Sequence, residues 1–211
     1  MPVAASRVGR LRRPAQLRAA FAAASLGVLF GLVLAAAEGT GSDPPAPSLQ
    51  PWIDATPSGG ILQLPAGTYS GPVLISRPIL IDGRGEVTID GGGKGTVVTV
   101  RTTGVVLRRL HLRNSGDSHD RIDSGVLVED GQHNLIEDNR IDEVLFGITL
   151  QQANDNRIVG NRIRSLALAP ADRGDGIRLW YSMSNRIERN ELRGVRDITV
   201  SNSLRNRFVG N

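Results

Sequence analysis

Residues 125–161, GVLVEDGQHNLIEDNRIDEVLFGITLQQANDNRIVGN, contain one unit and most of its copy. Gly125-Val-Leu-Val128 returns as Gly147-Ile-Thr-Leu150, then as Gly176-Ile-Arg-Leu179 and Asp197-Ile-Thr-Val200. Each opening is followed by a first asparagine, Asn134, Asn156, Asn185 or Asn206, and by a second, Asn139, Asn161, Asn190 or Asn211. The unit starts lie 22, 29 and 21 residues apart. Self-similarity with a period in the twenties is the mark of a solenoid.

Stacked in register, the units align their apolar residues in columns. Val126, Ile148, Ile177 and Ile198 form one, and Val128, Leu150, Leu179 and Val200 the next, two residues on. Ile136, Ile158, Ile187 and Phe208 form a third, and Ile141, Ile163 and Leu192 a fourth. Spacing by two puts alternate side chains on one side, as in a strand. The β-branched residues that dominate suit a pleated surface. No stretch after residue 51 sustains a helical period. Asparagine repeated at one site can stack amide on amide, and it tolerates the left-handed backbone of a sharp corner. The small residues Gly131, Ala153, Ser182 and Ser203 suit another tight corner. The pattern predicts an all-β parallel β-helix with coils about 4.8 Å apart. A leucine-rich repeat is the rival, but asparagine stands where leucine is required and no helical half follows.

An earlier, less regular coil carries Val98, Val100, Leu107, Leu110 and Leu112, with Leu110 at an asparagine position. Strands around Val73, Ile79 and Val87 begin the stack, and Trp52, Ile53, Leu62 and Leu64 are expected to cover its first end. The last residue, Asn211, falls on a ladder position in mid-coil, which reads as an incomplete repeat domain over 52–211.

Residues 1–37 hold five arginines, no acid, an apolar stretch from Ala19 to Ala37 and an Ala-x-Ala ending. They read as a secretory signal peptide, with an uncleaved anchor as the alternative and Arg12-Arg13 as a weak twin-arginine element. Residues 38–51, rich in proline and glycine, read as a flexible linker. The formal charge of +4 belongs to the leader, because residues 38–211 carry 20 basic and 21 acidic residues. Nucleic-acid binding thus loses its main support. There is no cysteine, so no disulfide braces the fold. The chain is expected to be periplasmic and not membrane-spanning once the leader is removed.

Two connections break the period. Leu112 to Val126 and Ile163 to Ile177 each span 14 residues and leave the stack at one corner, two coils and roughly 10 Å apart. Insertions on one edge commonly build the binding face of a solenoid. The first carries Asp117, His119, Asp120 and Asp123, the second Asp172 and Asp175, and Asp142 and Glu143 lie between. Together they are the candidate binding edge, a carboxylate-rich pocket for a metal or an acid–base pair, or else simply solvated loops. His119 is its weak metal candidate. Trp180 and Tyr181, where other coils are polar, are candidates for contact with a partner or a sugar ring, or for local cover of the adjacent loop. His111 points outward between two inward leucines, and His133 reads as a turn residue.

The segments Gly67-Thr-Tyr69, Ile89-Asp-Gly-Gly-Gly-Lys-Gly-Thr-Val97, Leu112-Arg-Asn-Ser-Gly116, Val144-Leu-Phe-Gly-Ile148 and Gly174-Asp-Gly-Ile-Arg-Leu-Trp-Tyr-Ser182 resemble the NosD family over about residues 60–211. These are exported proteins of nitrous-oxide reductase maturation. The resemblance implies a right-handed, pectin-lyase-like parallel β-helix in the periplasm. It implies work with the ATPase and membrane subunits of an ABC transporter in assembling the copper–sulfur site of nitrous-oxide reductase. It also carries a copper-binding label. Copper favours Cys, Met and His. Residues 38–211 offer only Met183 and the dispersed His111, His119 and His133, which points to a docking scaffold rather than a tight copper carrier.

The alternative is a carbohydrate-active enzyme, a polysaccharide lyase, hydrolase or epimerase, on the same architecture. Such enzymes need paired acids on a strand face. The outward positions Leu127, Thr149, Arg178 and Thr199 cannot supply them, so no catalytic residue is assigned. A nonfunctional truncated copy is a third possibility.

Overall fold

The computed structural model describes residues 45–211. The stretch read as a signal peptide, residues 1–37, and the start of the expected linker lie outside those residues. Strands pair in parallel throughout, in an 11-stranded and a 6-stranded sheet. The smaller sheet is one wall of a solenoid: Val73–Ile75, Val98–Val100, Ser124–Glu129, Phe146–Gln151, Ile177–Trp180 and Ile198–Ser201. The larger sheet folds round the other two. Leu135–Glu137, Arg157–Val159, Arg186–Glu188 and Arg207–Val209 stack in wall two; Arg140–Val144, Arg162–Ser165 and Glu191–Arg193 stack in wall three. Two long strands, Ile79–Asp90 and Val106–Arg113, run through both walls in the early coils. This is a parallel β-helix.

The apolar columns stack in the register expected of them. Ile148 pairs with Val126 and Ile177, Ile158 with Ile136 and Ile187, and Ile163 with Ile141 and Leu192. Val126, Ile136, Ile141, Ile148, Ile158, Ile163, Ile177 and Ile187 are all buried. Each such side chain contributes about 1.5–3 kcal/mol by leaving water. The glycines opening the first two units are a packing requirement: a Cβ at Gly125 would meet Ile141 Cγ2 at 2.4 Å, and one at Gly147 the Gly176 carbonyl oxygen at 2.2 Å.

The asparagines form two ladders inside the corners. Asn139 Nδ2 donates to Asn161 Oδ1 at 3.0 Å, Asn161 to Asn190 at 3.0 Å, and Asn190 to Asn211 at 2.8 Å. Each Oδ1 also accepts the backbone N–H of the preceding coil's asparagine, as Asn161 does from Asn139 at 3.1 Å. Each Nδ2 also donates to a backbone carbonyl, as Asn161 does to Ile136 at 2.9 Å. Asn156 and Asn185 build the same arrangement at the other corner. Leu110 does stand one rung below Asn139, whose Oδ1 accepts its N–H. A shorter hydroxyl ladder runs in the same connection between walls one and two as Asn156 and Asn185, not at a separate corner: Ala153 N–H donates to Ser182 Oγ and Ser182 N–H to Ser203 Oγ.

Two expectations need correcting. The left-handed backbone falls not on the ladder asparagines but on the residue before each: His133, Asp155, Ser184 and Arg205 at one corner, Asp138, Gly160, Arg189 and Gly210 at the other. The asparagine is thus free to turn inward and bond. Residues 45–51 are not all linker. Ser48 bridges to Ser70, Leu49 is wholly buried, and a short helix, Gln50–Ala55, follows. The Gln50 side chain bonds both the N–H and the carbonyl of Leu74, satisfying the first edge of wall one as another strand would. Ile53, Leu62 and Leu64 join the core there, whereas Trp52 lies exposed, edge-on to Tyr69. At the other end Val200, Phe208 and Val209 are exposed.

Asp82 pins the bend of the first long strand. It accepts the Arg84 N–H, Arg108 Nε and Arg109 Nε at 2.9–3.0 Å. The Arg109 hydrogen bond, with help from the Arg84 N–H and the Arg108 charge, lowers its pKa to about 2.

Asn161→Ala strips partners from the Asn139 N–H and the Ile136 carbonyl in the core, and should cost about 3 kcal/mol in chemical denaturation, whereas Asn211→Ala, at an exposed rung, should cost less than about 1 kcal/mol. Equal losses would mean that the buried ladder is not what holds the stack. The depressed Asp82 pKa contributes stability that is full above the ordinary carboxylate range and lost as pH falls through about 2. The gap in stability between the native chain and Asp82→Asn should therefore narrow on acidification from about pH 4 to about pH 2.

Candidate functional site

The two long connections leave wall three and enter wall one at the same corner, and they touch. His119 Nε2 lies 3.0 Å from the Asp172 carbonyl oxygen. Its ring stands edge-on to Phe146, with centroids 5.5 Å apart at 82°. Phe146 opens the intervening coil, and the Arg178 guanidinium lies 5.9 Å from the same ring. Thr149, at an outward position of wall one, is buried and bonded to Ser124 Oγ at 2.9 Å. Gly116 must be glycine, since a Cβ would sit 2.1 Å from Asp123 Oδ2.

The eight residues of the candidate edge do not converge. Asp123 is buried, and its Oδ2 accepts the Ser118 N–H at 3.0 Å and Arg121 Nη2 at 3.3 Å, which closes the first loop on itself. Asp175 is also buried; its Oδ1 is held by Arg196 Nε at 3.0 Å and Nη2 at 2.9 Å. Its Oδ2 has Arg178 Nη1 at 3.9 Å and no hydrogen-bond partner among the described residues. Asp117, Asp120 and Glu143 are exposed. So is Asp172, which meets His119 through its backbone and not its carboxylate. Asp142 belongs to a different surface, the outer face of wall three, where it meets His111 Nε2 at 3.2 Å and contacts Arg140 and Arg164. Burial and Arg140 push the His111 pKa down, against the pull of Asp142.

No group of three His, Cys, Asp or Glu side chains able to hold a metal ion exists among the described residues. His119 has its Nε2 against a carbonyl, and the other histidines are elsewhere. The donor set does not fit a resident copper ion. The buried acids of the corner are not free carboxylates of the kind glycosidic chemistry uses in pairs, since Asp123 is bound to Ser118 and Arg121 and Asp175 to Arg196.

Trp180 and Tyr181 are exposed and packed edge-on to each other, with centroids 4.7 Å apart at 89°. They sit at the far end of their strand from the long loop, roughly 10 Å beyond Ile177. They are thus not its cover. Leu204, one turn on, is also exposed, and Met183 lies beside it on the same corner.

One surface has no counterpart in the sequence reading. The outward residues of wall three form two lanes, His111–Arg140–Arg162–Glu191 and Arg113–Asp142–Arg164–Arg193. Their later rungs line a groove of about 420 Å3 in which Arg140, Arg162, Arg164 and Arg193 face only Asp142 and Glu191. The readable signal is the pair of residues flanking each inward Ile141, Ile163 and Leu192.

Residues 79–211 match the family model described as "Right handed beta helix region". The chain is 29% identical over 144 residues to the "Probable ABC transporter binding protein NosD" of Pseudomonas aeruginosa, across 65% of this chain and 33% of that protein. It is 28% identical over 137 residues to the protein of the same name in Stutzerimonas stutzeri, across 64% and 31%. The chain thus spans about a third of the length of these curated relatives. Among solved structures, a putative glycosyl hydrolase from Parabacteroides merdae aligns with a TM-score of 0.53 at 10% identity, over 72% of this chain and 81% of that one. That likeness is one of fold alone.

The contact between the loops gives a direct test. His119→Ala should speed amide hydrogen exchange across residues 166–173 by about tenfold or more while leaving the wall strands protected. Unchanged exchange in that segment would mean that the second loop holds itself.

Proposed function

Because the chain belongs to the right-handed β-helix family and is NosD-like, we propose that it is an exported, non-enzymatic accessory protein that docks to an ABC transporter. Its task in this reading is to help assemble the copper–sulfur site of nitrous-oxide reductase in the periplasm. The observation that carries the reading is the likeness to two relatives each named a probable ABC transporter binding protein. The leader, with its arginines, apolar stretch and Ala-x-Ala ending, supports export.

The geometry favours a scaffold over a carrier or a catalyst. The best-placed acids, Asp123 and Asp175, are consumed in buttressing loops. Copper is then a cargo of the pathway, passed between other proteins, and not an ion this chain holds. Trp180 and Tyr181 are the docking anchors: large, rigid side chains at an exposed corner of an otherwise polar turn column. An interface formed there desolvates both rings, and the Tyr181 hydroxyl remains available to a polar partner.

The test is co-purification of the full chain with the ATPase and membrane subunits of the ABC transporter from the same organism. Complex formation is expected, and Trp180→Ser with Tyr181→Ser should weaken it about tenfold or more without changing the melting temperature. Failure of the native chain to bind the transporter overturns the reading. So would submicromolar copper binding that is lost in His119→Ala, because the chain would then be a carrier.

A further inference from the structure

We infer that the arginine groove of wall three is a docking site for an extended, acidic segment of a partner protein. The inference goes beyond the transporter reading and does not depend on which protein carries the segment.

The charge is unbalanced locally. Four guanidinium groups share two carboxylates in the groove, although residues 38–211 as a whole are nearly neutral. Asp142 is contacted by Arg140, Arg164 and His111 at once. Glu191 is contacted by Arg193 and, at 3.7 Å, by Arg162. Arg162 and Arg164 make no side-chain hydrogen bond among the described residues; their nearest carboxylate oxygens lie at 3.7 and 3.6 Å. Their side chains are 80% and 58% exposed, and Arg193 beside them is 76% exposed. The planar, bidentate donors of Arg162 and Arg164 are therefore open to oxyanions from outside, while Arg193 gives Nε and Nη2 to Glu191 and keeps its remaining donors.

The spacing selects the ligand. Arg162 and Arg164 stand two apart on one strand, so they project from the same face roughly 6.7 Å apart. Arg193 lies in register with Arg164 on the neighbouring strand, about 4.8 Å away. An extended peptide laid along wall three repeats its own same-face side chains at that 6.7 Å interval. Carboxylates at its alternate positions meet Arg162 and Arg164 in turn, and Arg193 reaches the second from the side. A sugar chain is the weaker fit, because no aromatic ring lines the groove to stack on a pyranose face.

The experiment uses the full chain and a labelled peptide of alternating glutamate and serine, read by fluorescence anisotropy at low salt. Binding is expected, with an affinity that falls as ionic strength rises. Arg162→Ala with Arg164→Ala should weaken it about tenfold, with unaltered melting, and Arg162→Lys with Arg164→Lys should recover only part of the loss. Arg157→Ala, on wall two and outside the groove, should leave binding unchanged. A peptide of equal charge with its glutamates in one block should bind more weakly. The inference fails if blocked and alternating peptides bind alike, if Arg157→Ala matches the groove variant, or if oligogalacturonate binds more tightly than the peptide. Loss of transporter binding in the Trp180 and Tyr181 variant with peptide binding intact separates this site from the docking corner.

Discussion

A parallel β-helix must turn sharply three times in every coil, and each turn forces a residue into left-handed backbone. In the coil of Ser124–Val144 those residues are Asp130, His133, Asp138 and Glu143, none of them glycine. Such a residue costs about 1–2 kcal/mol. The buried asparagines make that tolerable. Directly after His133 and Asp138, Asn134 and Asn139 turn inward; their Oδ1 atoms accept backbone N–H groups of the preceding coil, and their own N–H groups donate to Asn156 and Asn161 Oδ1 of the next. An inward amide in a dry corner has few alternatives, since an unpaired polar group there costs about 1–3 kcal/mol. The ladder therefore holds the corners, the corners hold the walls in register, and the register places every outward side chain.

This explains why the fold was legible. Inward positions admit one kind of residue, apolar on the walls and asparagine at two corners, so their columns survive in a single sequence. The left-handed positions were not legible, because His133, Asp155, Ser184 and Arg205 share no chemistry. The neighbouring rung constrains the backbone there and leaves the side chain free. The Gln50–Ala55 helix escaped for another reason. Six residues are too few to show a period, and the last residues of the stretch read as linker are held by Leu49 and by the Gln50 amide, which copies a strand edge.

The site was legible only in part. Two interruptions of the period correctly located loops that meet, through His119 and Asp172. Which acids would be free was beyond the pattern. Asp123 and Asp175 look like any loop acids, yet Asp123 is sealed by the fold of its own loop on Ser118 and Arg121, and Asp175 by Arg196, a coil away in the linear chain. Asp142 and Glu143 are adjacent in sequence but end on different surfaces, because the bulge at Arg164 and Ser165 and the left-handed Glu143 turn the chain between them.

The same constraint tells where function can reside. Since inward residues carry stability, outward lanes are free to hold charge that the fold does not need. At the loop corner much of that freedom has been used up: Asp123 and Asp175 are buried and bound, and His119 Nε2 is held against the Asp172 carbonyl. On wall three it has not. An arginine two residues from another on a strand cannot neutralise it, and neighbouring coils supply only Asp142 and Glu191. Exposed ion pairs of that kind contribute at most about 1 kcal/mol, so stability does not account for four arginines around two acids. Surplus charge held in fixed register at strand spacing is what an extended ligand of opposite charge would recognise, and the ladder that fixes the register keeps it in place before any ligand arrives.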